Sequence, residues 1–404
     1  MSAPATAAPV FNPLSPEFIR DPYPFFHKLR DFDPLWPSPF GRVSTRHKDV
    51  SLVLRDKRFG KDFIGRARKN YGDKADTEPV LRVMRHAMLT QDPPDHTRLR
   101  GLVVKAFTAR RVEEMRPRIQ AIVDSAIDRV AKQGHMDVIA DLAFRLPVAV
   151  ICDMLGIPAD HQERFLTGAR TAGRAIEPVP MSRAELDAAN ASQKEIERYF
   201  LDLFELRRRE PGDDLTTHLL RAEEEGSRLS PEELIANILL LFVAGHETTV
   251  NLIGNGLLAL YRNPAQLAKL RADPALMPNA VEEFLRYDSS VQVTYRVAFE
   301  DLDLNGAPIK KGESVMCLLG AANRDPETYP DPDALDISRP KINPLSFGGG
   351  IHHCLGAQLA RIEAEVALGT LLRRLPNLRL DNQDNPEWRP TFVLRGLKTL
   401  PASW

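Results

Sequence analysis

The residues best suited to chemistry lie in FGGGIHHCLG, residues 347–356, where a cysteine and two histidines stand directly before a predicted helix. A thiolate at Cys354 is stabilised there by the helix dipole and by the unpaired N–H groups of the first turn. Three glycines, at 348–350, let the backbone turn sharply and let a large flat group approach. Three interpretations follow: an inert cysteine in a glycine turn, a zinc site with His352 and His353, and a thiolate ligand to haem iron. Zinc is disfavoured because adjacent residues rarely point at one metal and no CxxC or HxxxH motif supplies further ligands.

A second group of reactive residues, AGHETT at 244–249, interrupts an apolar stretch with helical periodicity. Gly245 costs about 1 kcal/mol in a helix interior relative to alanine, and a buried Glu247 costs more unless it is paired or functional. Thr248 can hydrogen-bond a carbonyl three or four residues back, in a locally widened helix. An acid beside an alcohol in such a groove is suited to relaying protons to a ligand on the helix surface. The alternative is a kinked structural helix, and a zinc-binding HExxH is excluded because residue 250 is valine.

Two further pairs of charged residues share a helix face. Glu283 and Arg286 have the spacing of a local ion pair, which is usually a surface feature. His96 and Arg100, in DPPDHTRLR, have helical spacing after a Pro-Pro turn, and their donors can hold a carboxylate or a phosphate. A solvated basic face is the ordinary interpretation of this stretch alone. Neither pair identifies a function by itself.

The AGHETT residues must be carried by a long helix. Ser230 at the N-cap, Pro231 at the first helical position and Glu233 at the third form a capping box. Apolar positions continue to Leu260, and Asn263-Pro264 ends the run. A helix of roughly 30 residues is about 45 Å long. Because it is apolar on nearly all sides, we predict that it is central and buried.

Shorter elements must position the other motifs. Helices are predicted over 277–287 and 356–375. Alternating residues between 297 and 319, with a tight turn at Asn305-Gly306, predict β-structure. Helices dominate and no βαβ alternation occurs, so we predict a mainly α fold with small β-sheets. The α-rich part is expected over about 90–290 and 356–375, and the β-rich part near the N-terminus and over 290–320 and 380–404.

Composition and charge are those of a soluble globular enzyme. The chain has 404 residues, 43% hydrophobic and 27% charged, and its 54 basic and 55 acidic side chains nearly balance. This balance gives no bulk attraction to nucleic acid or to a membrane surface. Three cysteines make no disulfide framework, so a reducing cytoplasm is expected. The N-terminus lacks the features of a signal peptide, and the apolar run at 234–245 is too short to span a bilayer.

Taken together, in this order and spacing, the four motifs resemble the cytochrome P450 superfamily. FGGGIHHCLG matches its F-G-x-G-x-H-x-C-x-G haem-ligand loop at every fixed position, and AGHETT matches its oxygen-activation motif. EFLR at 283–286 matches its E-x-x-R, and DPPDHTRLR resembles the H-x-x-x-R of its third major helix. The likeness is closest to soluble bacterial members, including macrolide hydroxylases and the fatty-acyl-cleaving enzyme of biotin synthesis. It implies a single P450 domain over 1–404, a triangular prism with the long central helix over haem.

The resemblance implies haem b as the cofactor, with Cys354 as the thiolate that pushes electron density onto the iron. Glu247 and Thr248 would be the acid–alcohol pair that delivers protons. Arg339 would complete a buried ion triad with the E-x-x-R pair. The other expected haem-binding residues are Ala244, Gly245, Phe347 and Gly356, with His96, Arg100, Arg296 and His352 on the propionates. The expected substrate pocket includes Leu240, Val243, Val291, Val293, Thr294, Phe392 and Val393.

The implied activity is that of a monooxygenase that hydroxylates, or otherwise oxidises, a mostly apolar small molecule with O2 and two electrons. The electrons must come from another protein, since no GxGxxG-βαβ unit and no four-cysteine set supplies a flavin or iron–sulfur module. We therefore expect a ferredoxin or flavodoxin with its NAD(P)H-dependent reductase, docking on basic residues. The basic residues considered are Arg98, Lys105, Arg110 and Arg111. A cytoplasmic monomer without a membrane anchor or nucleic-acid partner is expected; the alternatives are a peroxide-driven peroxygenase and a non-catalytic haem-binding sensor.

Overall fold

The structure, a computed structural model, describes residues 12–38, 41–158, 161, 180–224 and 229–404. It is mainly helical with small β-sheets, so the predicted fold class is confirmed. The α-helices of the described residues are α1 (Pro16–Arg20), α2 (Tyr23–Phe32), α3 (His47–Arg55), α4 (Phe63–Tyr71), α5 (Pro79–His86), α6 (Asp95–Val103), α7 (Ala109–Glu114), α8 (Arg116–Val130), α9 (Arg145–Leu155), α10 (Arg183–Arg209), α11 (Leu215–Glu224), α12 (Pro231–Arg262), α13 (Pro264–Ala272), α14 (Met277–Tyr287), α15 (Leu319–Ala322) and α16 (Ala357–Arg374).

The strands form a five-stranded sheet and two smaller ones. The five-stranded sheet has the order β1-β2-β8-β5-β3 and is antiparallel except for the β2–β8 pair. The smaller sheets are β4-β10-β9 and the hairpin β6-β7. Asn305 and Gly306 form the hairpin turn with φ of 53° and 91°, as the predicted turn requires. The strands are β1 (Leu35–Ser38), β2 (Gly41–Ser44), β3 (Phe59–Gly60), β4 (His135–Asp137), β5 (Val293–Ala298), β6 (Leu302–Leu304), β7 (Ala307–Ile309), β8 (Ser314–Leu318), β9 (Arg379–Leu380) and β10 (Pro401–Ser403).

The chain divides into two compact units. The first unit consists of Met1–Gly60, Asn255–Cys354 and Gln383–Lys398. The second unit consists of Lys61–Gly254, Leu355–Asn382 and Thr399–Trp404. The five-stranded sheet belongs to the first unit, where α3 packs against it. In the second unit, α9, α10, α11 and the first part of α12 share a hydrophobic core.

The long predicted helix is α12, which runs for 32 residues. It begins with the predicted capping box: Ser230 N donates to Glu233 Oε2 at 2.9 Å, and Glu233 N donates to Ser230 Oγ at 3.2 Å. Arg98 of α6 donates to both carboxylate oxygens of Glu233, so the cap is also charge-paired. Helix α12 is long and apolar enough to cross a membrane, but 67% of its apolar window is buried, as in the core helix of a globular protein.

The two other predicted helices are present, and their bounds lie within one residue of those predicted. Helix α14 runs from Met277 to Tyr287, and α16 runs from Ala357 to Arg374. Helix α16 packs along α8, and Arg374 forms ion pairs with Asp124 and Asp128 of that helix. This packing holds the element that follows the FGGGIHHCLG loop in the chain.

Candidate active site

Cys354, the cysteine predicted to be reactive, is exposed in a loop that contains a backbone hydrogen bond between its two ends. The N–H of Cys354 donates to the carbonyl of Phe347 at 2.9 Å. Helix α16 begins at Ala357, and Gly356 occupies its N-cap position. Cys354 therefore immediately precedes the positive end of an 18-residue helix, a location that stabilises a thiolate.

Two glycines of the loop have backbone conformations that other residues rarely adopt. The φ angle is 70° at Gly348 and 65° at Gly350. Gly350 also lies against α3, where a Cβ would stand 2.3 Å from the carbonyl oxygen of Leu54. A side chain at position 350 would push the loop away from α3. The glycine at this position therefore sets where the loop lies.

A buried hydrogen-bond network anchors the chain just before the loop. Ser346 Oγ donates to the carbonyl of Leu285 at 2.6 Å. Asn323 Nδ2 donates to Ser346 Oγ and to Ser289 Oγ, each at 2.8 Å. Asn323 Oδ1 accepts the N–H of Leu345 at 2.7 Å. Sequence reasoning missed this network, and its one signal was an asparagine at the end of the apolar run LLGAAN.

The three residues of the expected ion triad are in contact. Arg286 Nε donates to Glu283 Oε2 at 2.7 Å, and Arg339 Nε donates to Glu283 Oε1 at 3.2 Å. Both guanidinium groups also donate to backbone carbonyls between residues 323 and 334. Glu283 and Arg286 are fully buried, so this is not the surface pair that is usual at such spacing.

Helix α12 is mostly buried, but one face near its middle is accessible. Ala244 is exposed there, and Leu240, Val243 and Thr248, which lie on the same side of the helix, are half-buried. Phe242, on another side, is fully buried. A short side chain at the centre of this face leaves the helix surface open to a flat ligand.

The predicted acid and alcohol adjoin the accessible face. Thr248 Oγ1 donates to the carbonyl of Ala244 at 3.0 Å, the back-bonding expected of a threonine inside a helix. Glu247 is buried. At Gly245 a Cβ would come no closer than 3.7 Å to Ile151, so protein packing does not require glycine there.

The residues expected on the haem propionates lie on α6, on β5 and in the cysteine loop. His96 and Arg100 are both on α6, where His96 is 2% exposed and Arg100 is half-buried. The burial of His96 contradicts the solvated basic face that this stretch alone suggested. Arg296, on β5, is buried, and its Nη1 donates to the carbonyl of Tyr295 at 2.9 Å. His352 is half-buried in the cysteine loop.

The expected substrate-pocket residues differ in accessibility. Those that retain accessible surface are Leu240, Val243, Val291 and Thr294. Those that are buried are Val293, Phe392 and Val393. The ring of Phe392 lies edge-on to Phe18, with 5.8 Å between the centroids, so other protein groups already cover it.

An acid that the motifs did not indicate lies on α16. Glu363 is 2% exposed, and burial raises the pKa of its carboxyl to about 8, while a hydrogen bond with Thr249 opposes the rise. This carboxyl is therefore mostly protonated at neutral pH. Its one sequence signal is an acidic residue among the apolar positions of α16.

The chemistry of the residues present fits a haem group. Cys152 and Cys317 are buried, and burial raises the pKa of the Cys152 thiol to about 12, whereas Cys354 is exposed. In the part of the chain that the structure describes, no group of three or more His, Cys, Asp and Glu side chains is placed to hold a metal ion. A single thiolate beside a glycine-rich backbone would suit haem iron, because the porphyrin itself supplies the nitrogen ligands of the metal.

Comparison with known proteins points to one family. The family model for cytochrome P450 matches residues 42–399. The cytochrome P450 monooxygenase PikC of Streptomyces venezuelae is 41% identical, over 97% of this chain and 93% of its own length. The structure of P450BioI in complex with hexadec-9Z-enoic acid ligated acyl carrier protein matches with a TM-score of 0.90 at 39% identity, covering 96% of this chain and 100% of that one. The structure of the myxobacterial CYP267B1 in complex with myristic acid matches with a TM-score of 0.89 at 40% identity, covering 97% and 98%.

Proposed function

This chain belongs to the cytochrome P450 family and is a monooxygenase that binds cysteine-ligated haem b, and we propose that Cys354 is the ligating cysteine. The observation that carries this proposal is the exposure of Cys354 in a glycine loop before α16, while Cys152 and Cys317 are buried. A thiol before a helix ionises readily, and the thiolate is the form that ligates a metal. A thiol in apolar surroundings stays protonated and inert.

Glu247 and Thr248 are proposed to supply protons to the reaction. When bound, the haem supplies the redox chemistry by which O2 and two electrons oxidise a C–H bond of the substrate. Hydroxylation of one substrate molecule consumes one O2, two electrons and two protons, and releases one water. The bond to the Ala244 carbonyl, at 3.0 Å, holds Thr248 Oγ1 in place, and Glu247 exchanges protons with water.

His96, Arg100, Arg296 and His352 are proposed to bind the two haem carboxylates. Hydrogen bonds between a cationic donor and a carboxylate are about twice as strong as neutral ones. His96 and Arg296 are buried, where weak screening by water strengthens such bonds further.

The substrate is proposed to be an apolar molecule such as a long-chain fatty acyl group. Leu240 and Val243 offer accessible apolar surface beside Thr248 on α12. Two structurally similar P450s hold such chains, one as a hexadec-9Z-enoic acid on an acyl carrier protein and one as myristic acid. Titration with myristic acid, followed by the absorption of the haem, is the direct test of this class.

The electrons are proposed to come from a ferredoxin or flavodoxin and its NAD(P)H-dependent reductase, in the cytoplasm. Of the basic residues expected to dock the partner, Lys105, Arg110 and Arg111 are exposed. Arg98 and Arg110 are already paired with glutamates, which reduces the charge that they offer. Docking is therefore assigned to Lys105 and Arg111, and high salt should weaken it by screening.

A peroxide-driven peroxygenase is the second candidate function. Peroxide already carries the protons that Glu247 and Thr248 would deliver, so this pair favours the reaction driven by O2. A haem sensor would use neither residue. The experiment that separates the two functions measures product formed with NADH, ferredoxin and reductase, and product formed with hydrogen peroxide alone. Product from peroxide but none from the reductase system would replace the monooxygenase proposal.

The ligand assignment is tested by replacing cysteines one at a time. Cys354→Ala should abolish the thiolate-type absorption spectrum of the reduced carbon-monoxide complex, because no other exposed thiol is present among the described residues. Cys152→Ala, which removes a buried thiol, is the matched control and should keep that spectrum. An unchanged spectrum in the Cys354 variant would refute the assignment.

A further inference from the structure

Asn251 is a buried asparagine one turn beyond the Glu247–Thr248 pair of α12. It is 1% exposed, and neither its amide nitrogen nor its amide oxygen has a hydrogen-bond partner among the described residues. Its neighbours Val250 and Leu252 are buried and apolar. A leucine would bury a similar volume without any unsatisfied polar atom. Packing alone therefore does not account for an asparagine at this position.

Asn237, on the same helix, shows how a buried asparagine is satisfied by protein groups. It is also 1% exposed, its Oδ1 accepts the N–H of Met88 at 2.9 Å, and its Nδ2 donates to the carbonyl of Glu233 at 2.7 Å. About four helical turns separate it from Asn251, so the two lie on the same side of α12. The two residues thus differ in their partners rather than in residue type or burial.

A water molecule is the partner that suits Asn251. Buried polar groups in folded proteins bond to other protein groups or to ordered water. The amide offers one acceptor and two donor hydrogens, and water both donates and accepts. We propose that Asn251 holds an internal water molecule on the Glu247–Thr248 side of α12 and thereby positions the water that feeds protons to this pair. The proton-feeding role, though not the water site, rests on the proposed function.

The spacing along α12 places this water within reach of both residues. Glu247 lies four residues before Asn251 and Thr248 lies three before it, so their Cβ atoms are about 5–6 Å from that of Asn251. Thr248 Oγ1 donates its hydrogen to the Ala244 carbonyl, which leaves its lone pairs to accept a hydrogen from water. Asn251 contacts the water and not the substrate, so it is a positioning residue.

The water site is tested directly by a crystal structure of the haem-loaded protein at a resolution that shows ordered water. We expect one water molecule at about 2.7–3.2 Å from both polar atoms of the Asn251 amide. The same water should be absent from Asn251→Leu. An Asn251 amide bonded to protein groups alone, in either orientation, would overturn the proposal.

The role of the water is tested by the peroxide released per NADH consumed, with a surrogate ferredoxin and reductase and with myristic acid as the probe. When proton delivery fails, O2 leaves with two electrons and two protons as hydrogen peroxide. Asn251→Leu should raise the ratio of peroxide to hydroxylated product about fivefold, the factor that corresponds to about 1 kcal/mol. An unchanged ratio of peroxide to product would show that Asn251 has no part in proton delivery and contributes only to packing.

Asn237→Leu is the matched control, because it replaces a buried asparagine that protein groups satisfy. It should lower the thermal midpoint by stripping Met88 N–H of its acceptor, and it should leave the peroxide ratio unchanged. Asn251→Leu should show the reverse pattern, with little loss of thermal stability. Failure of the wild-type protein to hydroxylate any substrate would count against the proposed function. The crystal structure tests the water site whether or not the protein is active.

Discussion

Two buried carboxyl groups, Glu283 in α14 and Glu363 in α16, are accommodated in opposite ways. Glu283 lies between Arg286 and Arg339, with N–O distances of 2.7 and 3.2 Å. Glu363 hydrogen-bonds with Thr249, and burial raises its pKa to about 8. The first carboxyl lies in direct contact with two guanidinium groups, whereas burial favours the protonated form of the second.

The difference shows two ways of burying the same side chain. Burying an ion pair removes both charges from water, and only close contact and further hydrogen bonds offset that cost. Burying a lone carboxyl next to a hydroxyl costs less, because the group can take up a proton. The triad is therefore sensitive to loss of a partner, and Glu363 is sensitive to pH.

The largest effect is expected when glutamate is replaced by glutamine at position 283, and the same replacement at position 363 serves as the comparison. Glu283→Gln leaves two arginines buried without a counter-charge, so the free energy of unfolding should fall by about 3–5 kcal/mol. Glu363→Gln replaces a group that is already neutral and should show no such fall. Urea denaturation at pH 7 measures both variants, and equal losses would mean that Glu363 is charged in the folded protein.

The next effect concerns pH, arises from Glu363, and amounts to about 3 kcal/mol between about pH 5 and 7.5. Well below pH 4.5, the ordinary pKa, both the folded and the unfolded chain hold the proton, so the contribution of Glu363 is constant there. Between pH 4.5 and about 8 only the unfolded chain loses the proton. The free energy of unfolding therefore falls by up to about 1.4 kcal/mol per pH unit in this window and levels off above it.

Glu363→Gln isolates this dependence from the titration of other groups. The variant has no proton to lose, so its stability relative to the wild type should rise by about 3 kcal/mol between about pH 5 and 7.5. The measurement is urea denaturation of both proteins across this range. A difference that stays constant with pH would show that the carboxyl is not held protonated by the fold.

The smallest effect is expected at Thr249, whose hydroxyl hydrogen-bonds with Glu363 and also lies 3.4 Å from the carbonyl of Gly245, to which it donates. Thr249→Val keeps the side-chain shape and should lower the free energy of unfolding by about 1 kcal/mol. Because this bond lowers the pKa of Glu363, its loss should also move the stability window towards higher pH. The control is Thr249→Val made in the Glu363→Gln variant, which should not shift the dependence of stability on pH. A shift in this control would exclude Glu363 as the cause.

Local features of the fold were predictable because their causes lie within a few residues. The capping box of Ser230 and Glu233 depends on a four-residue pattern, and the structure has both of its hydrogen bonds. The hairpin turn depends on Asn305-Gly306, which adopt positive φ as expected. The bounds of α14 follow equally from residues at its own ends.

The supports of the candidate site were less predictable because they join distant parts of the chain. The Asn323 network ties the loop to α14, across contacts that no periodic pattern encodes. The close approach of Gly350 to Leu54 adds a packing reason for this glycine to the sharp turn that the sequence indicates. The stretch around His96, taken alone, indicated a solvated basic face, but His96 is buried, since burial depends on what packs over a helix as well as on its own residues.

The amino-acid sequence by itself determined the family of this protein and hence its cofactor, since four short motifs carry them in residue type and spacing. It also determined the main helices, because caps, periodicity and turns act locally. Only the tertiary structure decided which cysteine is exposed, that Glu283 contacts two arginines while burial raises the pKa of Glu363, and that the amide of Asn251 lacks the protein partners that Asn237 has. Exposure, ionisation and hydrogen-bond satisfaction are set by groups far apart in the chain, so no local pattern of residues specifies them.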